Sequence, residues 1–256
     1  MLSIADKIEG YSILTEDGDI GEVVSLLFDD RDWSVQYLVV DVGNLVEEKV
    51  LISTEIADVP IWKKETIPVK VSKQKIKDSP TINLSGPVSE ERLTEIHRYY
   101  GWAPFRPGIL PSSPTTVPGA AMPISSTITY EIVDESRTEE HVSKEAERHL
   151  RSINEVNGYY VEATDESVGN IENFLLDADE WVIRYAVVDV GGWLSEEKRL
   201  VANNWIEDVD WLGQKISMKI SKNRLEKAPH FDKEKQIDRE YEAELFEIYD
   251  QPGYWL

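Results

Sequence analysis

Cysteine is absent from this chain, which removes disulfides, thiolate nucleophiles and cysteine-bound metals from consideration. Cationic side chains are scarce: 27 lysines and arginines stand against 49 aspartates and glutamates, a formal net charge of −22. So acidic a surface repels phosphate backbones and anionic membranes, both of which need Lys and Arg to neutralise them. Histidine occurs four times, at positions 97, 141, 149 and 230, with no metal-ligand spacing among them. A glycine-rich phosphate loop is missing as well. No apolar run approaches the roughly 18 residues that span a bilayer. Asp6, Lys7 and Glu9 break any signal-peptide core at the N-terminus. Together these absences predict a soluble, cytoplasmic protein with no membrane insertion, no nucleic-acid partner, no metal, no cofactor and no catalytic residues.

What the chain does contain is organised around Tyr37-Leu38-Val39-Val40-Asp41-Val42-Gly43. The run returns as Tyr185-Ala186-Val187-Val188-Asp189-Val190-Gly191, displaced by 148 residues. Each copy reads as a short strand buried on both faces, and it is too short for a core helix. At the same displacement Gly10-Tyr11 matches Gly158-Tyr159, Gly21 matches Gly169 and Trp33 matches Trp181. Further on, Glu47-Glu48-Lys49 matches Glu196-Glu197-Lys198, Ser72-Lys73 matches Ser221-Lys222 and Pro80 matches Pro229, now at 149. A period of that length is a domain duplication rather than a solenoid.

Within the first copy, strands are expected near 10–14, 20–28, 33–42, 50–53 and 67–71. Asp17-Gly18 marks a tight turn, and Gly21 a bulge or close backbone approach. A helix is expected over 88–100, started by Ser89 with acidic residues in its first turn and stopped by Gly101. Six of the twelve prolines fall in residues 103–126, which predicts a semi-extended linker. A second helix is expected over 138–152, acidic at its start and basic at its end. The resulting division is a β-barrel at 1–80, its helical tail at 81–103, a proline-rich linker at 104–137 and a linker helix at 138–152. A second barrel follows at 153–230, with its own helical tail at 231–256.

On these residues both copies resemble PRC-barrel domains, a family named for the cytoplasmic domain of the photosynthetic reaction-centre H subunit. The second copy carries the fuller pattern: Gly169 to Asp177, Trp181 to Asp189, then Asn204-Trp205-Ile206. The tails at Ser89 to Trp102 and Arg239 to Trp255 resemble helices that follow such barrels in bacterial stand-alone, often tandem, members. The resemblance implies a mainly β protein of two small PRC-type barrels, each followed by a short C-terminal helix and joined by the proline-rich linker. A small barrel with edge strands and an amphipathic tail tends to pair with a like partner, and the duplication supplies one, so the barrels are expected to pair within the chain about a pseudo-two-fold axis. As to function, the resemblance implies a non-enzymatic docking or regulatory module that binds a protein partner. Two alternatives come with it: an H-subunit-like accessory of a photosynthetic membrane complex that influences electron transfer, and a ribosome-assembly factor.

Candidate sites are few. Asp41 and Asp189 are lone carboxylates in apolar runs, either general bases or acceptors of backbone hydrogen bonds at a strand end. No serine or histidine nucleophile accompanies either, which favours the acceptor role. Asp29-Asp30-Arg31-Asp32 and Asp177-Ala178-Asp179-Glu180 lack the glycine and glutamate positions of a calcium loop and read as polar turns. Lys63, Lys64, Lys70, Lys73, Lys75 and Lys77 form the basic cluster, expected as a solvated edge strand. Aromatic residues Tyr99, Tyr100, Trp102, Trp193, Tyr254 and Trp255, with Tyr249, are either a partner surface or a cover for their own barrels.

The charge balance yields a direct expectation. Exposed like charges destabilise the compact state, and salt screens them over about 8–10 Å near physiological ionic strength. Added salt should therefore raise the melting temperature, and duplex DNA should give no complex in a gel shift at physiological salt. A melting temperature that falls as salt is added would mean that the acidic residues are largely paired.

Overall fold

A computed structural model of the chain describes residues 2–43, 48–84, 87–102, 149–191, 197–233, 235 and 237–253. The expected linker at 104–137, most of the expected helix at 138–152, and Trp193, Tyr254 and Trp255 lie outside the described residues.

The architecture is mainly β, in two sheets with few helices. In the first half, β2 (Ser12–Thr15) and β3 (Gly18–Asp29) are joined by the anticipated Asp17-Gly18 turn, which the Thr15 hydroxyl closes by donating to Asp17 at 2.9 Å. Strand β4 (Val35–Asp41) pairs antiparallel with β3, and β5 (Lys49–Ser53) with β4. Parallel to β2 runs β6 (Thr66–Pro68). The second half repeats this arrangement with β8 (Tyr160–Glu162), β9 (Ser167–Asp177), β10 (Val182–Asp189), β11 (Lys198–Ala202), β12 (Ile206–Asp210) and β13 (Lys215–Met218). Its order is β11-β10-β9-β8-β13-β12, against β5-β4-β3-β2-β6 in the first half.

Neither order returns on itself among the described residues, so a closed barrel, as the resemblance implies, is not observed. The outer edges of β5 and β11 are met by single backbone bonds instead. Ile82 donates to the Lys49 carbonyl at 2.7 Å, and Phe231 to the Lys198 carbonyl at 2.9 Å.

The organising run behaves as its composition demands. Tyr37, Leu38, Val39 and Val40 are all buried because successive side chains on a strand point to opposite faces. Leu38 and Val40 enter the large core that both halves share. Tyr37 and Val39 pack with Leu27 and Leu51 beneath α2 (Glu90–Tyr100). Ser89 caps that helix by accepting from the Arg92 N–H at 3.3 Å, and Gly101, at φ 74°, ends it. The corresponding helix of the second half (Arg239–Tyr249) is capped by Asp238. Between these elements lie α1 (Lys73–Lys77) and two short helices, α3 (Ile153–Val156) and α4 (Lys222–Lys227); the Arg239–Tyr249 helix is α5.

Two three-residue arms cross between the sheets. Strand β1 (Leu2–Ile4), which precedes the first half, pairs with β9 of the second: Leu2 faces Asp177 and Ile4 faces Leu175. Strand β7 (Leu150–Ser152), which precedes the second half, pairs with β3 of the first: Leu150 faces Asp29 and Ser152 faces Leu27. Each register is the other displaced by 148 residues. The helix expected at 138–152 therefore does not extend to its predicted end, since residues 150–152 are extended. The edge of β3 offers them backbone partners, and Ser152 adds a hydroxyl contact to Ser25 at 2.8 Å.

Trp33 and Trp181 sit where the halves meet, both with left-handed backbones, φ 63° and 54°. For a bulky residue that conformation costs about 1–3 kcal/mol and persists only where the surroundings enforce it. Here the Val35 N–H donates to the Trp181 carbonyl at 2.7 Å, and the Ile183 N–H to the Trp33 carbonyl at 2.8 Å. The Trp33 ring stacks on Phe28 at 5.3 Å and meets Phe174 of the other half at 6.1 Å.

The close approach anticipated at the paired glycines is present. A Cβ on Gly169 would stand 1.8 Å from the Asp189 carbonyl oxygen, at φ 149°, whereas Gly10, at φ 83°, has nothing within 4 Å. Gly169→Ala should cost more than about 3 kcal/mol, because backbone has to move. Gly10→Ala should cost only the left-handed penalty of about 1 kcal/mol. Urea melts of the two variants check this, and equal losses would contradict the close approach.

Candidate functional site

The lone carboxylates serve the strand ends. Asp41 accepts from the N–H groups of Gly43 at 2.9 Å and Glu48 at 3.1 Å, and Asp189 from Gly191 at 2.9 Å. Four positions before each aspartate, a buried tyrosine fastens a helix to the sheet. Tyr37 shares a 2.6 Å hydrogen bond with His97 Nε2 on α2, and Tyr185 donates to Glu242 on α5 at 2.7 Å. Burial drives the Tyr37 hydroxyl well above the usual tyrosine range. Glu242 is only 4% exposed and also receives Arg239 at 3.0 Å. Neither helix partner was singled out from the sequence. A carboxylate at a core-facing position of the second tail was the available signal.

Of the proposed aromatic surface, the structure brings together Tyr99, Tyr100 and Trp102, and turns them mainly onto their own chain. Tyr100 is buried, its ring stacked on Trp102 at 4.2 Å, and its hydroxyl is pushed up to about 12 by burial. Tyr99 donates to the Lys75 carbonyl at 2.8 Å. Trp193, Tyr254 and Trp255 lie outside the described residues. The lysines do not form the expected edge strand. Lys73, Lys75 and Lys77 stand on α1, which Ser72 caps through the Lys75 N–H; Lys63 and Lys64 belong to a 3₁₀ turn; and Lys70 pairs with Asp58 at 2.9 Å. Among the described residues no group of three or more histidines, aspartates or glutamates is placed to hold a metal ion. Asp29 is held by Arg31, and Asp32 accepts from the Ser34 N–H at 2.9 Å, so the acidic turn is internally bonded.

A feature not read from the sequence is an open cleft of about 530 Å³ where the halves meet, lined by Asp30, Trp33, His149, Asn204, Trp211 and Lys219 among others. His149 Nδ1 lies 2.6 Å from Asp30. Burial pushes the Asp30 carboxyl up, and the hydrogen bond with His149 draws it part of the way back. Beside the pair, the buried Arg151 lays its guanidinium over Trp211 at 4.3 Å. The described lining combines carboxylates (Asp30, Asp32, Glu207, Asp208) with the cations Arg31 and Lys219 and carries no serine or threonine hydroxyl.

From the rim of this cleft the β12–β13 hairpin projects. Its turn is fixed by Asp210 accepting from the Gly213 N–H at 2.9 Å. At the tip Leu212 is 100% exposed, and Tyr160 on the adjoining β8, opposite Lys215, is 61% exposed. Strand β12 is the outermost of its sheet and carries Glu207, Asp208 and Asp210. An exposed leucine at the hairpin tip and an exposed tyrosine on the adjoining strand, with carboxylates along the sheet edge, are the most exposed large apolar side chains of the described residues.

Tyr185→Phe should cost about 1–3 kcal/mol, because it removes a donor from a buried carboxylate. Tyr37→Phe should cost about 1 kcal/mol or less, since the half-buried His97 can turn to water instead. Parallel denaturant titrations check the ordering, and a reversed order would mean that Glu242 is held by its other contacts.

No curated protein matches the chain. The family model described as the PRC-barrel domain matches residues 149–223, which span β7 to the start of α4. The match begins with the arm that pairs into the other sheet. A second such domain is not shown for the first half. The β-sheet of the second half, with its arm, cleft wall and exposed hairpin, is therefore a PRC-barrel domain.

Proposed function

We propose that this chain is a non-enzymatic docking module that binds a protein partner through the β12–β13 hairpin of its PRC-barrel domain. The observation that carries the reading is Leu212, fully exposed at a turn held by the Asp210 carboxylate, with the exposed Tyr160 on the adjoining strand. Anchors of this kind bind by filling a partner's pocket while the polar rim supplies selectivity. The rim here is acidic, and the whole chain carries −22, so the complementary partner presents an apolar socket ringed by Lys and Arg.

We read the first half as a second copy of the same domain. The shared strand order and registers displaced by 148 support a duplicated pair about a pseudo-two-fold axis. In this reading the partner hairpin of the first half keeps the tryptophan as Trp62 but carries Lys63 and Lys64 where the second carries Leu212 and Gly213, so the two copies present different surfaces. Only the second is built for apolar docking.

Affinity capture with the full chain, compared with a Leu212→Asp/Tyr160→Ala double variant, tests the proposal. A protein retained by the parent and lost from an equally stable variant is the expected result. Identical captured sets would reject the hairpin as the docking site. Recovery of pigment–protein complexes or ribosomal particles through this hairpin would name the photosynthetic or the ribosome-assembly alternative as the setting.

A further inference from the structure

The two halves differ most at the face of one tryptophan. In the second half Trp211 meets Tyr159 edge-on, with ring centroids 5.8 Å apart; in the first, Trp62 meets Tyr11 the same way at 6.0 Å. Over Trp211 lies the Arg151 guanidinium, held on its far side by Glu155 at 3.7 Å. The positions 148 residues earlier are Ser3 and Lys7. Because β1 and β7 pair in equivalent registers, with Ser3 opposite Leu176 and Arg151 opposite Phe28, Ser3 stands where an arginine would cover Trp62. A serine is too short to do so, and the face of Trp62 opens into a groove of about 340 Å³.

The walls of that groove combine two chemistries. Leu2, Ile4, Trp62 and Leu175 supply apolar surface. Lys7, Lys233 and Lys235 supply positive charge to the groove, whose described lining holds no carboxylate; a neighbouring recess of about 250 Å³ shares Lys7 and Lys233 and adds Lys198 together with Asp6 and Glu172. Lys198 is engaged by Glu172 at 2.5 Å, and Lys235 lies 3.7 Å from Asp232. For Lys7 and Lys233 no ion-pair partner occurs among the described residues. In a chain of net charge −22 this is a local reversal of sign around an aromatic face. The groove volume lies within the range of small-molecule sites, about 300–1,000 Å³.

We infer that this groove binds a small aromatic anion. Its flat apolar body rests on Trp62 between Leu2, Ile4 and Leu175, and its carboxylate or sulfonate faces Lys7 and Lys233. A cationic ligand would gain the same ring face that Arg151 uses, but the lysines repel it. The first half thus takes from solution, with opposite charge at the rim, a group that the second half supplies from its own arm.

The test is a fluorescence titration of the full chain with 8-anilinonaphthalene-1-sulfonate, an aromatic sulfonate. One saturable site is expected, weakened by salt. Ser3→Arg/Lys7→Glu, which transplants the Arg151–Glu155 pair onto Trp62, should lower affinity at least about tenfold, because the ring face is then occupied. A second variant, Lys7→Glu/Lys233→Glu, leaves the apolar walls intact and should lower affinity at least about fivefold through charge alone. A urea melt accompanies each variant, since this dye also reports loosened cores; if the first variant is destabilised, the second decides. Absence of a saturable site, or unchanged affinity in a stable second variant, would overturn the inference. So would equally tight binding of the neutral analogue N-phenyl-1-naphthylamine.

Discussion

Two backbone hydrogen bonds hold this molecule's plan together: Val35 to the Trp181 carbonyl and Ile183 to the Trp33 carbonyl. Both tryptophans have the left-handed backbone where these bonds form, and the bridge between Ser34 and Val182 sits between them. Each half therefore strains its own turn to present a carbonyl to the other. The strain is offset by burial of both indoles in a core that draws side chains from both sheets, with Phe28 and Phe174 meeting at 6.0 Å. The arms complete the joint. A three-residue strand has no stability alone, yet β1 and β7 each find a full ladder on the long strand of the other half.

The interlock sets where the surface is busy and where it is bare. Near the joint, His149, just before the β7 arm, meets Asp30 of the other half in a cleft. Farther out, the hairpin tips lie beyond the joint, with Leu212 wholly exposed. There the two copies of the pattern have diverged: Trp211-Leu212 in one, Trp62-Lys63 in the other. The same logic explains Ser3 and Arg151. Both occupy one register position on equivalent arms, and only their side chains decide whether the tryptophan below is covered.

The sequence announced the elements whose signals are local. Asp17-Gly18 marked its turn, Ser89 and Gly101 bracketed a helix, and Gly21 and Gly169 marked backbone approaches that leave no room for a Cβ. The double burial of residues 37–40 followed from an unbroken apolar run. The arms escaped because three residues show no period, and because β7 meets a strand more than 120 positions earlier in the chain. Charge order at 138–152 suited a helix, and tertiary pairing overrode it at the last three positions. Lys73, Lys75 and Lys77 alternate as a strand would, but the Ser72 cap makes them helical. Leu212 was invisible for a different reason: burial is a property of the fold, and a lone leucine in a turn carries no mark of its exposure.

The central claim is that the exchange of arms and backbone bonds makes one cooperative body of the two halves. Differential scanning calorimetry of the full chain tests it most directly. The account predicts a single transition whose calorimetric and van't Hoff enthalpies agree. Two resolved transitions, each with the enthalpy of one half, would show that the arms decorate two independent domains rather than join them.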